Sequence, residues 1–289
     1  MGGTVGPTMQ ESVHKWREQP RHLPEDAPNI LIVMFDDAGF GQPDTFGGEI
    51  HTPTLTRLAD AGISYNAFHT TAMCSPTRAA LMTGRYSTRL GLNTVIIGGT
   101  PNTLQASEVT LAELFKSQGY ATAHAGKWHI GSEEQSWPTR QGFDEYHVGV
   151  IETSDGTLYR ESMERSGMTD PFIEKVVPRI YESEADGNLK AVREYTVEYR
   201  HQVEGDIAKA SVEFIQRQAK AKTPFFMYVG WTHSHYPCVV PPEFEGKFLH
   251  LVWRGQEYLA FAPSGLHRYH NQLLAHFLQD QGIPHHWVT

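Results

Sequence analysis

Polar side chains that can bind metal ions or move protons follow three apolar segments of this 289-residue chain. Ligands bind beyond the carboxyl ends of parallel strands, so residues at these places are candidates for one common site. Two adjacent carboxylates repel each other unless a cation lies between them, and oxygen ligands favour Ca²⁺ or Mg²⁺. A solvated carboxylate pair that begins a turn before Gly39 is the alternative. The candidates are Asp36 and Asp37, then Lys127 and His129, then His233 and His235.

A cysteine stands where a helix is predicted to begin. In Cys74-Ser-Pro-Thr-Arg78, Ser75 can serve as the N-cap, Pro76 suits the first turn, and Gly84 ends the helix. The helix N-terminus favours an anion, and Arg78 adds a bidentate donor one turn along. Spacing alone supports an activated thiolate nucleophile and a buried structural cysteine about equally.

Alternating strands and helices predict the scaffold that holds these residues. The first strand is predicted to be buried on both faces of a parallel sheet, because it is a continuous apolar run. The pattern favours an α/β fold with a largely parallel central sheet flanked by helices. Predicted strands span 29–35, 63–68, 120–125 and 225–231; predicted helices run from Thr52 to Gly62, from Thr110 with Glu113 in a capping box through Ser117, and over 203–221.

The chain divides by composition into an arm, a central domain and a tail. Residues 1–27 are polar and predict an arm, and residues 28–248 form the domain. Within the domain, the charged segment 151–200 is interpreted as an excursion near the pocket. The histidine-rich segment 249–289 is either a natural variant tail or a truncated or frame-altered C-terminus.

Charge and hydropathy limit the classes of partner. A net charge of -9 and a pI near 6.0 argue against a nucleic-acid partner. No apolar run is long enough for a membrane span, and the opening residues lack the features of a signal peptide, which predicts a cytoplasmic protein without a membrane partner. Two cysteines cannot form a disulfide framework. The sequence does not fix the oligomeric state.

Two long segments resemble the signatures of the sulfatase family, most closely the arylsulfatases. They are Ala72-Met-Cys-Ser-Pro-Thr-Arg-Ala-Ala-Leu-Met-Thr-Gly84 and Gly119-Tyr-Ala-Thr-Ala-His-Ala-Gly-Lys-Trp-His129. The start of the domain, Asn29 to Asp37, and the segment Thr232-His-Ser-His-Tyr-Pro237 also look like sulfatase segments. The resemblance covers residues 28 to about 248 and implies the sandwich fold of the alkaline-phosphatase-like superfamily.

The resemblance implies that Cys74 is converted to formylglycine by a separate formylglycine-generating enzyme. A hydrated aldehyde carries two hydroxyls: one attacks sulfur, and the other lets the resulting sulfate hemiacetal collapse and expel sulfate. By the same resemblance Asp36, Asp37 and the residue at position 74 bind a cation, Ca²⁺ or Mg²⁺. That cation neutralises sulfate oxygens and polarises the attacking hydroxyl.

The remaining roles are also implied by the resemblance. Arg78 and Lys127 hold the hydrate and the sulfate, and His129 takes the proton that triggers collapse. His235 helps Lys127 to protonate the leaving alcohol or phenol. His233 is the alternative to His235 for that role.

The chain also departs from the family pattern. The Asp-Asn-Gly segment that completes the metal shell, a further sulfate-binding lysine and the smaller C-terminal subdomain are not found in this sequence, which therefore resembles a C-terminally truncated sulfatase. The leading expectation is hydrolysis of small-molecule sulfate monoesters, aryl or alkyl. The alternatives are a phosphonate or phosphodiester hydrolase of the same superfamily, and an inactive sulfatase-like fragment.

Overall fold

The computed structural model describes most of the predicted domain and little of the arm and tail. The segments 97–102, 242–249 and 260–289 are among those outside it. More than half of the predicted arm and most of the predicted tail therefore lie outside the described residues. Described are 3–4, 6–8, 10–13, 27–48, 50–96, 103–169, 171, 173–174, 177–184, 186–239, 241, 250–253 and 256–259.

Six strands form one mixed sheet, which confirms the predicted α/β class. The order is β1-β6-β2-β3-β4-β5, in which β1, β6, β2 and β3 are parallel neighbours and β4 and β5 are added antiparallel. A separate antiparallel pair, β7 and β8, lies in the tail. The bounds are β1 (Ile30–Met34), β2 (Ala121–Lys127), β3 (Glu145–Val150), β4 (Arg179–Ser183), β5 (Leu189–Glu194), β6 (Phe225–Gly230), β7 (His250–Trp253) and β8 (Gln256–Leu259).

The sequence predicts the N-cap residues of two helices, Thr52 for α1 and Thr110 for α3. The capping box at α3 is present, because the Thr110 hydroxyl accepts from the Glu113 amide and the Glu113 carboxylate accepts from the Thr110 amide. The last helix begins earlier than predicted, since the Thr196 hydroxyl caps it. The bounds are α1 (Pro53–Ala61), α2 (Cys74–Thr83), α3 (Leu111–Ser117), α4 (Tyr159–Arg165) and α5 (Val197–Ala221). Among the described residues, none of these helices combines the length and apolar character that a bilayer crossing requires.

Apolar side chains cover both faces of the sheet. Because successive residues of a strand point to opposite faces, β6 contributes to both layers. On one face Phe226 and Tyr228 pack with Met82 of α2. On the other face Met227 and Val229 pack against the apolar side of α5. The sheet thus holds α2 and α5 on opposite sides of the carboxyl ends of the parallel strands.

Two strand predictions were wrong. The first strand is not buried on both faces, because β1 is the edge of the sheet in the described part of the chain and Leu31 and Val33 are about half exposed. Residues 63–68 form no strand; Ile63, Tyr65 and Phe68 are strongly exposed between α1 and α2. Apolar residues there did not produce a strand, since no described strand lies beside them to pair with.

An ionic cluster joins β3 to β4. The His147 ring donates from Nδ1 to Glu182 at 2.9 Å and from Nε2 to Glu145 at 2.8 Å. Glu182 also accepts from the Val148 amide at 2.8 Å. The hydrogen bonds to Glu145 and Glu182 raise the pKa of His147 to about 9, although burial opposes the charge. The imidazolium therefore links the parallel and antiparallel parts of the sheet.

Because of this cluster, the free energy of unfolding should fall as the pH becomes alkaline. Because the folded pKa of His147 lies above its unfolded value, the contribution is complete below about pH 6.5 and is lost as pH rises through about 9. We expect His147→Gln to lower the free energy of unfolding by about 1–2 kcal/mol at pH 6, a value reduced for solvent screening, and by almost nothing at pH 10. Urea unfolding at both pH values measures the difference. His51→Gln, at an exposed ring, is the control, and a difference that persists at pH 10 would contradict the assignment.

Candidate active site

A buried group of three charges lies where β1 and β2 end. Asp36 follows β1, and its carboxylate accepts from Lys127 Nζ at 2.6 Å and from Arg78 Nη2 at 3.2 Å. All three side chains are almost completely buried. Burial alone would raise the pKa of Asp36, but the charges of Lys127 and Arg78 outweigh it and hold that pKa well below its usual range. Asp36 is therefore an anion near neutral pH.

Arg78 is fixed by contacts from two strands. Its Nη1 donates to the Lys127 carbonyl and to the Tyr228 hydroxyl, both at 2.8 Å. Its Nε is buried and has no partner. A guanidinium held in this way is already oriented and retains a free donor.

The end of β2 needs glycine to bring Lys127 into the group. Gly126 has φ +89°, and a Cβ there would lie 2.1 Å from the Gly230 carbonyl oxygen. The register of β2 against β3 shifts between Ala125 and Lys127. Only glycine combines this backbone conformation with such a close approach of β6. The strand runs to Lys127, two residues beyond the predicted end.

Cys74 is the first residue of α2. Met73 is the N-cap residue, so the prediction that Ser75 caps the helix was wrong; the Ser75 hydroxyl instead accepts from the Ile96 amide at 3.1 Å. The predicted end at Gly84 is confirmed, with φ +66°. Cys74 therefore lies in the first turn of α2, and Arg78 follows one turn later on the same helix.

Cys74, Asp37 and His235 come together. One ligand atom of each lies within 4.8 Å of the other two. The Asp37 backbone is left-handed, with φ +57°. The pKa of the Cys74 thiol is raised, first by burial and then by the charges of Asp36 and Asp37, against opposing effects of Lys127 and Arg78. A raised pKa disfavours the thiolate, so these surroundings argue against an unmodified Cys74 acting as the nucleophile.

His129 is buried with one free ring nitrogen. Its Nε2 donates to the Ile96 carbonyl at 2.9 Å, which leaves the lone pair on Nδ1 without a partner. Burial lowers the pKa of His129 well below its usual value, and Lys127 lowers it further. A neutral imidazole with an unused lone pair can accept a proton.

The two histidines after β6 have different surroundings. His235 Nε2 lies 3.2 Å from the Thr153 hydroxyl and 3.7 Å from Asp37 Oδ2. His233 turns towards Glu204, at 4.0 Å, and its Nε2 is buried without a partner. Burial lowers the pKa of His233 to about 3. Of the two, His235 is the one beside Asp37 and Cys74.

With this geometry in view, comparison with known proteins identifies the family. The sulfatase family model matches residues 28–280. The chain belongs to the sulfatase family. The match continues past residue 248, where the resemblance of the motifs ended, into the tail.

Relatives with known names are sulfatases as well. Mouse arylsulfatase G is 34% identical over 240 residues, which are 74% of this chain and 42% of that protein. Mouse N-acetylgalactosamine-6-sulfatase is 31% identical over 249 residues, 77% of this chain and 42% of that protein. The chain thus spans less than half the length of these relatives.

A solved structure extends the likeness to the fold. The PsFucS1 sulfatase from Pseudoalteromonas sp. has a TM-score of 0.69 and 25% identity, over 88% of this chain and 52% of that one. The alkaline-phosphatase-like sandwich that the sequence predicts is therefore confirmed.

Sulfatases generally use formylglycine and a divalent metal ion, and the residues of this candidate site fit such an ion. The ligand atoms that lie together in the described residues are those of Asp37, Cys74 and His235. The carboxylate oxygens of Asp36, the residue before Asp37, bind Arg78 and Lys127. Each carboxylate oxygen of Asp36 has a second lone pair beyond its hydrogen bond to Arg78 or Lys127. The carboxylate oxygens of Asp36 and Asp37 are donors that suit a hard cation.

Three further contributors were not predicted from the sulfatase motifs. Thr153 and Asp155 come from the excursion 151–200 and lie within 3.5 Å of the His235 ring. Tyr228 orients Arg78 from within β6. No local pattern distinguishes them, because each is defined by a partner far away in the sequence.

Proposed function

We propose that this chain hydrolyses sulfate monoesters through a formylglycine formed at position 74. The observation that carries the proposal is the meeting of Cys74, Asp37 and His235 at one edge of the buried group formed by Asp36, Arg78 and Lys127. A sulfate ester needs a nucleophile, cations for its oxygens and an acid for its leaving group. This arrangement supplies a candidate for each requirement.

The cations would bind and orient the anionic ester. Lys127 and Arg78 are completely buried, so their charges act in a medium of low dielectric and need little reorganisation. Asp36 compensates one of these two positive charges in the resting state, so the group keeps one net positive charge. We propose that the sulfate oxygens bind to this pair of cations.

His129 and His235 would transfer protons in different steps of the reaction. His129 offers its free Nδ1 lone pair as a base. His235, in contact with Thr153 and near Asp37, would donate a proton to the leaving alcohol or phenol together with Lys127.

A modified residue and a metal ion complete the proposal. Formylglycine, made from Cys74 by a formylglycine-generating enzyme, would supply geminal hydroxyls, one to attack and one to release sulfate. A Ca²⁺ or Mg²⁺ ion held by Asp36, Asp37 and the residue at position 74 would supply positive charge.

The proposal is tested by steady-state rates on a chromogenic aryl sulfate and on the matched phosphonate ester. The chain is made together with a formylglycine-generating enzyme and assayed with calcium or magnesium. We expect faster turnover of the sulfate. Preference for the phosphonate would support the alternative hydrolase, and the absence of both activities would support an inactive fragment.

The histidines after β6 should differ in their effects. We expect His235→Ala to lower kcat for an aryl sulfate by roughly 10²-fold, because a proton donor is lost. His233→Ala should lower it less than about fivefold, since His233 faces Glu204 and not the site. Assay of both variants under saturating substrate measures the contrast. Equal losses would remove His235 from the proposed role.

A further inference from the structure

Helix α5 holds the segment that carries His235, here named the His235 loop (residues 231–237). Arg200 is completely buried, although it lies on a helix whose neighbouring inward residues are apolar. Its Nε donates to the Pro237 carbonyl at 2.9 Å, and its Nη2 donates to the His235 carbonyl at 2.8 Å. Its Nη1 reaches the Thr232 hydroxyl at 3.2 Å. One guanidinium therefore binds both ends of the His235 loop.

Glu204, one turn further along α5, binds the start of the same loop. Its Oε1 accepts from the Thr232 amide at 2.9 Å, from the Thr232 hydroxyl at 2.6 Å and from the His233 amide at 2.9 Å. The other carboxylate oxygen, Oε2, is buried without a partner. Burying a carboxylate and a guanidinium costs free energy of desolvation. Here the hydrogen bonds of both groups fix the conformation of the His235 loop.

The His235 loop is connected on its other side to Asp36, one of the proposed metal ligands. The Asp36 amide donates to the His233 carbonyl at 3.1 Å, and the Ser234 amide donates to the Asp36 carbonyl at 2.7 Å. Arg200 also donates to the Ser154 hydroxyl, beside Thr153, whose own hydroxyl lies 3.2 Å from His235 Nε2. A shift of the loop would therefore move His235 relative to both of its neighbours.

We propose that Arg200 and Glu204 are positioning residues that hold His235 at the distance required for proton donation to the leaving group. The inference rests on the proposed function and adds two residues that touch neither substrate nor metal. Misplacement of the donor should reduce catalysis most where the leaving group needs its proton most.

The test compares two substrates of one class with different leaving groups. A nitrophenyl sulfate releases a stable phenolate, whereas a simple alkyl sulfate releases an alkoxide that must be protonated. We expect Glu204→Ala to lower kcat for the alkyl sulfate at least about tenfold more than kcat for the nitrophenyl sulfate, with KM changed less than about threefold. Glu204→Gln keeps a carbonyl acceptor and should restore most of the ratio. Arg200→Lys, which cannot reach both ends of the loop, should behave like Glu204→Ala.

Controls separate positioning from folding. Glu213→Ala, at an exposed position of α5, should leave both rates unchanged. Equal losses on the two substrates for Glu204→Ala, or no recovery in Glu204→Gln, would overturn the positioning role while leaving the proposed function intact. A wild type that hydrolyses neither sulfate would overturn the proposed function, and this inference with it.

Discussion

Replacing Cys74 with alanine should reduce the hydrolysis of an aryl sulfate by roughly 10⁴-fold or more, because loss of a nucleophile removes the covalent step itself. The loss should appear in kcat, since Arg78 and Lys127 would still bind the anionic ester. Cys74 is half-buried at the start of α2 and makes no contribution to the apolar layers of the sheet. The variant should therefore fold, and far-UV circular dichroism checks this.

Cys238→Ala is the matched control for the thiol. Cys238 is also half-buried, and its Sγ donates weakly to the Ser234 carbonyl at 3.4 Å. It is not one of the residues gathered around Asp37. We expect its rate to stay within about threefold of the wild type. A Cys74→Ala variant with comparable activity would exclude position 74 as the nucleophile.

Replacing Lys127 with methionine should damage both turnover and stability. Turnover of the sulfate should fall by about 10²–10⁴-fold, because a buried cation that meets developing charge is removed. The free energy of unfolding should fall by about 3 kcal/mol, because among the described residues Asp36 keeps Arg78 as its one ion-pair partner while it remains buried. Steady-state assays and urea unfolding measure the two effects separately.

Lys116→Met provides the comparison for a surface pair. Lys116 binds Asp144 at 2.7 Å, but its side chain is half exposed. Removing it should cost less than about 1 kcal/mol and leave turnover unchanged. If Lys127→Met kept turnover within tenfold of the wild type, the proposed cation pair would not act on the substrate.

The parallel part of the fold could be predicted because its signals are local. The runs that became β1, β2 and β6 are apolar and end at polar residues, and the capping box fixes the start of α3. The antiparallel part could not be predicted. β4 and β5 mix charged and apolar residues without an apolar run. β4 becomes a strand by pairing with β3, and β5 by pairing with β4.

The candidate site divides in the same way. Residues after parallel strands converge by topology, so their meeting follows from the order of the strands. The hydrogen-bond partners of each site residue do not follow from the order of the strands. Arg200 and Glu204 are charged residues on a largely apolar side of α5, which indicates that they are buried. The sequence does not indicate which segment they bind. Their hydrogen bonds reach a loop about thirty residues away along the chain.

The central claim is tested most directly by the mass of the tryptic peptide that contains residue 74, Leu58 to Arg78, isolated from cells that also make a formylglycine-generating enzyme. Conversion of the thiol to an aldehyde should make this peptide about 18 Da lighter than the sequence requires. Burial raises the pKa of the unmodified thiol and so disfavours its thiolate, which agrees with a modified residue as the nucleophile. We expect the lighter peptide to predominate. A peptide that retains the full mass of cysteine under these conditions would contradict the account.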